Sequence, residues 1–152
     1  RLSATVSISP QVRRYLDSAR GREARTGYKC RNRDPWYVVP DVRTPDAFLA
    51  YMSGRSPVLV ANAAGCVCAN AVHAVVLRDS WSIETLQTAW RHPLAQLSCE
   101  IEGHPLGGGM LKLEPGEAGR IVLPQPNQSF SSDEIELLDA GSAAMRAWRH
   151  YV

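Results

Sequence analysis

The pattern of apolar and polar positions predicts helices at both ends of the chain and short strands between them. Ser9 followed by Pro10 is typical of a helix start, and apolar residues recur at helical spacing until Gly21, where we expect this helix to end. Runs of branched apolar residues predict strands at 58–62 and 70–77. The segment 47–52 is apolar and short, and it is compatible with either a strand or a helical turn.

The second half of the chain is predicted to be mainly helical. Ser82 begins a segment, 83–103, with an apolar stripe at helical spacing, and Pro93 is expected to kink or split it. Ser131 and Glu134 form a capping-box pattern that opens a final helix from 132 to about 150. We therefore predict an α+β fold: a single domain with a small mixed or antiparallel sheet flanked by helices. The N-terminal and C-terminal helices are expected to pack on the edges of that sheet.

The stretch 28–40 combines cations with aromatic residues. Lys29, Arg31 and Arg33 lie within five residues of one another, and Tyr28, Trp36 and Tyr37 surround them. Because proline disfavours helix at the residue before it, we expect an extended chain at Pro35 and a short strand at 36–39. Guanidinium groups bind phosphates and guanine edges, and aromatic rings stack on bases. The stretch predicts either a nucleic-acid contact or a solvated charged loop in front of a buried strand.

Charge is distributed unevenly along the chain, although its net value is only +2. Residues 1–55 contain ten Arg and one Lys against five acidic residues, a balance of +6, whereas residues 113–152 contain three Arg against six acidic residues, a balance of −3. This polarity predicts one basic face on the molecule.

Three consecutive glycines, 107–109, permit unusual backbone angles or the close approach of another backbone. They follow a predicted helix and precede a predicted strand, whereas a phosphate cradle needs a strand, glycines and then a helix N-terminus. A Rossmann or P-loop site is therefore excluded. Gly107 and Gly108 could instead approach a nucleic-acid backbone, with Lys112 nearby. Asn62 and Asn70 flank another loop, where they either contact DNA or cap the loop.

The four cysteines do not have the spacing of a metal site. Cys66 and Cys68 are separated by one residue, so we interpret the cysteines as reduced thiols of a cytoplasmic protein. His73 is interpreted as a core residue. A small enzyme that uses Cys30 or Cys66 with His73 is the weakest functional alternative, because no third group that would orient them is evident. No apolar run is long enough to span a membrane, and no signal peptide is visible.

Three blocks of the sequence carry a resemblance to a known family. The residues at 27–40, those at 59–62 with 70–73, and those at 107–115 resemble motifs of the C-terminal specificity domain of TaqI-like bacterial N6-adenine DNA methyltransferases, in the same order and spacing. The resemblance covers roughly residues 10–124. It implies a DNA target-recognition domain at 1–124, followed at 125–152 by a linker and a C-terminal helix that packs on the same domain.

The resemblance implies an adenine-specific type II restriction-modification enzyme whose catalytic domain binds S-adenosylmethionine. This chain has no Pro-Pro pair of the catalytic motif and no cofactor loop, so we expect it to have neither catalytic residues nor a cofactor of its own. Its first residue is Arg1 and not Met, which indicates a piece of a longer protein. The expected partners are double-stranded DNA and the missing N-terminal methyltransferase domain. The alternative is a protein-interaction module that helps to assemble a restriction-modification complex. The residues expected to contact DNA are Lys29, Arg31, Arg33, Trp36, Asn62, Asn70, Gly107, Gly108 and Lys112.

Overall fold

The computed structural model describes residues 8–39, 42–68, 71–78 and 80–150. The chain divides into two compact units, Arg1–Asp41 and Val42–Val152, which are described separately below as unit 1 and unit 2. Over the described residues, helices and two small antiparallel sheets make up the structure, which confirms the α+β class.

Residues 8–39 of unit 1 form three short helices, α1 (Pro10–Leu16), α2 (Ala19–Arg25) and α3 (Tyr28–Arg31). The predicted start of α1 is confirmed, since the Ser9 hydroxyl accepts a hydrogen bond from the Val12 amide at 3.3 Å. The single helix predicted up to Gly21 is wrong, because Ser18 ends the first helix and caps the second. The Ser18 hydroxyl donates to the Tyr15 carbonyl at 2.6 Å and accepts from the Gly21 amide at 3.2 Å.

The strand predicted at 36–39 is also wrong. The basic residues before it form the helical turn α3 instead of a loop, and Trp36 and Tyr37 lie in a turn. The Val38 amide donates to the Pro35 carbonyl at 3.0 Å, which closes this turn. Aromatic and β-branched residues favour a strand only where a neighbouring strand can pair with them. The described part of unit 1 contains no strand.

In unit 2, residues 42–68, 71–78 and 80–150 contain two three-stranded antiparallel sheets in place of the one predicted sheet. The first has the order β3-β1-β4, with β1 at Ala47–Ala50, β3 at Leu59–Ala61 and β4 at Val72–Val75. The second has the order β2-β6-β5, with β2 at Met52–Ser53, β5 at His104–Leu106 and β6 at Met110–Lys112. The chain passes from the first sheet to the second at Tyr51, because only this residue separates β1 from β2. The strands predicted at 58–62 and 70–77 are confirmed in shortened form.

The core of unit 2 lies on one face of the first sheet. Leu49 is buried with Trp90, Cys99 and Leu113. The opposite face carries the cross-strand row of Val60, Phe48 and Ala74, and it remains open in the described part of unit 2, with Val60 53% exposed.

The described part of unit 2 also contains four helices: α4 (Ile83–Arg91), α5 (Pro93–Glu102), α6 (Pro115–Ala118) and α7 (Ser132–His150). The predicted split at Pro93 is confirmed, and Pro93 is the first residue of α5. The capping box at α7 is also confirmed, since the Ser131 amide donates to the Glu134 carboxylate at 2.7 Å and the Glu134 amide donates to the Ser131 hydroxyl at 3.3 Å. Helix α7 packs along α5, where Gly141 lies close to the Leu97 side chain.

A buried ion cluster joins α7 to α5. Arg149 is 2% exposed, and its Nε lies 2.9 Å from Oε2 of Glu100, which is itself buried. Arg146 lies 2.9 Å from the other carboxylate oxygen of Glu100. Arg149 also donates to the carbonyls of Gly109 and Arg55, so that one side chain ties the helix to two loops.

Candidate nucleic-acid interface

Unit 1 presents a concentration of positive charge. Residues 8–39 contain eight Lys and Arg against three acidic residues. Within these residues none of the eight cations forms an ion pair, since the five ion pairs found in the structure all lie in unit 2. Seven of the eight side chains are exposed, and Arg33 is half-buried. An uncompensated positive surface of this kind attracts polyanions.

The structure brings Lys29, Arg31 and Arg33 together around α3. Because Lys29 and Arg31 are two positions apart on one helical turn, they point in different directions. Asn32 ends the helix, with its side-chain amide donating to the Tyr28 carbonyl at 2.7 Å. The Tyr28 side chain is 75% exposed, so it packs little against the rest of unit 1.

Trp36 lies in the turn after α3 and is half-buried. Its ring and the Tyr37 ring are arranged edge to face, with centroids 5.8 Å apart and an interplanar angle of 82°. These two residues line a cleft together with residues of α1 and α2. The turn therefore supplies the aromatic surface that a strand was expected to supply.

The Asn62 side chain stabilises the loop that follows β3 through hydrogen bonds. Its amide nitrogen donates to the carbonyls of Pro45 and Cys66 at 2.7 and 2.8 Å, and its side-chain oxygen accepts from the Cys66 amide at 2.8 Å. These bonds correspond to loop capping, which was one of the two roles predicted for Asn62. Asn70 lies outside the described residues.

The glycine segment, Gly107–Gly109, forms a 3-10 turn between β5 and β6. Gly108 and Gly109 have φ of 73° and 75°, which side chains rarely tolerate. A Cβ on Gly109 would collide with the His150 ring of α7, whereas Gly107 and Gly108 are exposed with open space around them. The absence of a side chain at Gly109 thus allows α7 to pack closely, whereas Gly107 and Gly108 are accessible to a binding partner.

Lys112 is the one predicted DNA contact whose charge is compensated within its own unit. Its ammonium lies 2.5 Å from the Glu114 carboxylate and 5.3 Å from the centre of the Tyr51 ring. The Tyr51 hydroxyl donates to Glu114 at 2.6 Å. Hydrogen bonds with Glu114 raise the pKa of both Tyr51 and Lys112, while those from Lys112 and Tyr51 lower the pKa of Glu114. Lys112 and Glu114 therefore stay charged at neutral pH, and Lys112 offers a phosphate less net charge than the cations of unit 1.

Comparison with known protein families decides the affiliation of the chain. The family model described as type II methyltransferase M.Eco57I, C-terminal domain, matches residues 2–149. The chain belongs to this family. Neither the curated proteins nor the solved structures gave a significant match.

Membership of the M.Eco57I C-terminal domain family confirms the methyltransferase affiliation that was expected from the resemblance. It places the chain in the context of a type II methyltransferase and of restriction-modification. The TaqI-like character of the resemblance is a finer statement that this match does not address. No helix in the described part of this family member is long and apolar enough to cross a membrane.

The sequence predicted a basic face in the N-terminal region, but the arginines of α1 and α2 were not among the residues named as DNA contacts. Arg13, Arg22 and Arg25 line a cleft with Trp36 and Tyr37. The run of arginines between Arg13 and Arg25 was visible in the sequence as an exposed basic segment. It did not indicate a site because the helix break between α1 and α2 was not predicted.

The cysteines and His73 do not form a recognisable catalytic group in this methyltransferase domain. The His73 Nε2 atom lies 2.8 Å from the Leu113 carbonyl, and its ring lies against Tyr51. Among the described residues there is no cluster of His, Cys, Asp and Glu that could hold a metal ion. His73 is thus engaged in packing between the two sheets, as expected of a core residue.

Cys99 is expected to be unreactive in the folded protein. Burial raises the pKa of its thiol to about 12, so the nucleophilic thiolate is scarce at neutral pH. Alkylation at pH 8 should modify the exposed Cys66 readily and Cys99 only after denaturant is added, with mass spectrometry as the measurement. Equal modification rates for Cys99 and Cys66 without denaturant would contradict the buried position of Cys99.

Proposed function

We propose that this chain recognises duplex DNA for an adenine-specific methyltransferase and positions it for a catalytic domain elsewhere in the protein. The observation that carries the proposal is the set of eight cations in residues 8–39 that have no ion-pair partner within that segment. The affiliation with a type II methyltransferase supports it, because such an enzyme has to hold DNA.

In the proposed mechanism, arginines of unit 1 bind phosphates and thereby set the register of the duplex. Phosphate contacts carry no sequence information, which is read from base edges in the grooves. Lys29 and Arg31 are exposed and extend from a short helix, so they are suited to reach a groove or a backbone. Asn62 contributes by holding the loop 62–66 in shape. Gly107 and Gly108 have no side chains, so their exposed backbone forms a second contact with the duplex.

The salt dependence of duplex binding tests the proposal. If about six of the eight cations contact phosphates, the association constant should fall roughly a thousandfold between about 50 and 200 mM salt, because bound counterions are released. Fluorescence anisotropy with a labelled duplex measures this change. Binding that is absent at low salt, or that does not respond to salt, would refute the proposal and favour the protein-assembly alternative.

We further propose that S-adenosylmethionine binds elsewhere in the protein. The glycines of this chain lead into strand β6, whereas a nucleotide-type cradle places them at the start of a helix. Titration calorimetry of the chain with S-adenosylmethionine should therefore show no saturable heat at micromolar concentrations. A saturable signal would overturn this assignment and would place cofactor chemistry within the chain.

A further inference from the structure

A cleft in unit 1 has a volume of about 360 Å³, within the range of pockets that take small molecules. Half of the residues that line it are apolar or aromatic and half-buried, namely Ile8, Leu16, Trp36 and Tyr37. Such a cleft is too small for a duplex, whose bases are covered by pairing and stacking.

Three exposed arginines also line the cleft. Arg13 comes from α1, and Arg22 and Arg25 lie three positions apart on one face of α2. Arg22 donates to the Asp17 carbonyl, which holds its guanidinium beside the cleft. Asp17 is the one acidic residue among those lining the cleft, so the local charge favours an anion.

The aromatic part of the cleft favours a base in addition to a phosphate. In the edge-to-face pair of Trp36 and Tyr37, one ring turns its edge toward a face of the other, so the pair itself does not cover the faces of the first ring. Aromatic faces beside arginines are the combination that binds unstacked bases without sequence preference. An inorganic anion would use the arginines alone and leave the aromatic surface without a function.

We propose that this cleft binds a single unstacked nucleotide of a DNA strand, with the base against Trp36 and the phosphate between Arg13, Arg22 and Arg25. The inference deepens the proposed DNA-binding function of unit 1 and rests on it. It adds a site for single-stranded or locally unpaired DNA that duplex recognition does not require.

The test compares binding of a labelled short oligothymidylate with binding of a duplex, using the whole 152-residue chain. Trp36→Leu should weaken binding of the single strand about 5- to 100-fold, the range expected when one stacking contact is lost. Trp36→Phe keeps an aromatic face and should restore most of the affinity. The matched control is Trp148→Leu, which changes a tryptophan of unit 2 that is 55% exposed, and it should leave the affinity unchanged.

A second pair of variants keeps the test decisive if Trp36→Leu does not fold. Arg13 and Arg14 are neighbours on α1 and both exposed, but only Arg13 lines the cleft. At about 0.1 M salt, losing one phosphate contact should weaken single-strand binding about fivefold. Arg13→Gln should show this loss, whereas Arg14→Gln, which removes the same charge from unit 1 outside the cleft, should show a clearly smaller one.

The outcomes separate this inference from the proposed function. Equal effects of Arg13→Gln and Arg14→Gln, or of Trp36→Leu and Trp148→Leu, would overturn the nucleotide site even if the duplex binds. Single-strand binding that depends on Trp36 and Arg13, together with no duplex binding, would support the nucleotide site and refute duplex recognition.

Discussion

Replacing Lys29, Arg31 and Arg33 together with Ala is expected to weaken binding of a duplex that lacks the target site about 500-fold at about 0.1 M salt, because on such a duplex all three cations are available to phosphates. Each lost phosphate contact removes about 0.9 from the slope of log affinity against log salt, and hence about a factor of eight at this salt concentration. The three residues cluster around α3 without ion-pair partners in the described part of unit 1, so their removal leaves no carboxylate unpaired there. Fluorescence anisotropy at several salt concentrations measures both the affinity and the slope.

A matched control removes three cations from unit 2. Arg43, Arg78 and Arg91 are also exposed and also lack an ion pair among the described residues. Their replacement by Ala lowers the net charge by the same amount, and it should leave most of the affinity intact. An equal loss in both triple variants would show that binding follows total charge and is not localised at α3.

Single variants distinguish base reading from phosphate binding at α3. If Arg31 or Arg33 reads a guanine edge, its replacement by Ala should cost roughly 1–3 kcal/mol at the target site and relax the preference at one base position. We expect one of the two to bind a base and the other a phosphate. A panel of duplexes, measured in the full-length enzyme together with melting temperature, tests this expectation. Unchanged affinity and selectivity in both variants would remove α3 from the DNA interface.

Arg149→Ala is expected to destabilise unit 2 by about 3–5 kcal/mol, the cost of breaking a buried ion pair and leaving a buried charge. Arg149 is 2% exposed and shares the Glu100 carboxylate with Arg146. Its loss also leaves the carbonyls of Gly109 and Arg55 without this donor. Urea unfolding followed by circular dichroism measures the free energy of unfolding.

Arg120→Ala is the control for this measurement. Arg120 also pairs with a glutamate, Glu102, at 2.6 Å, but its side chain is exposed. A surface ion pair of this kind contributes about 0–1 kcal/mol. If Arg149→Ala lowers the free energy of unfolding no more than Arg120→Ala does, then Arg149 does not hold α7 in place.

The sequence by itself determined the features that depend on neighbouring residues. Ser9, Ser82 and Ser131 were identified as helix starts because a capping hydroxyl bonds an amide two or three positions along the chain. Pro93 was identified as a helix break because its ring and missing N–H act on its own helix. The three motif blocks likewise pointed to a methyltransferase domain, as the family match confirms.

Only the tertiary structure decided what depends on residues distant in the sequence. Trp36 lies in a turn and not in a strand, because strand propensity has no effect without a neighbouring strand. Tyr51 joins the pair of Lys112 and Glu114 only because β2 pairs with β6, which brings this distant residue beside them. Arg149 is buried because its partner Glu100 comes from another helix, and nothing near Arg149 in the sequence indicates that pairing. Hydrogen bonds to sequence neighbours can be read along the chain, whereas burial and charge compensation are set by which elements pack together.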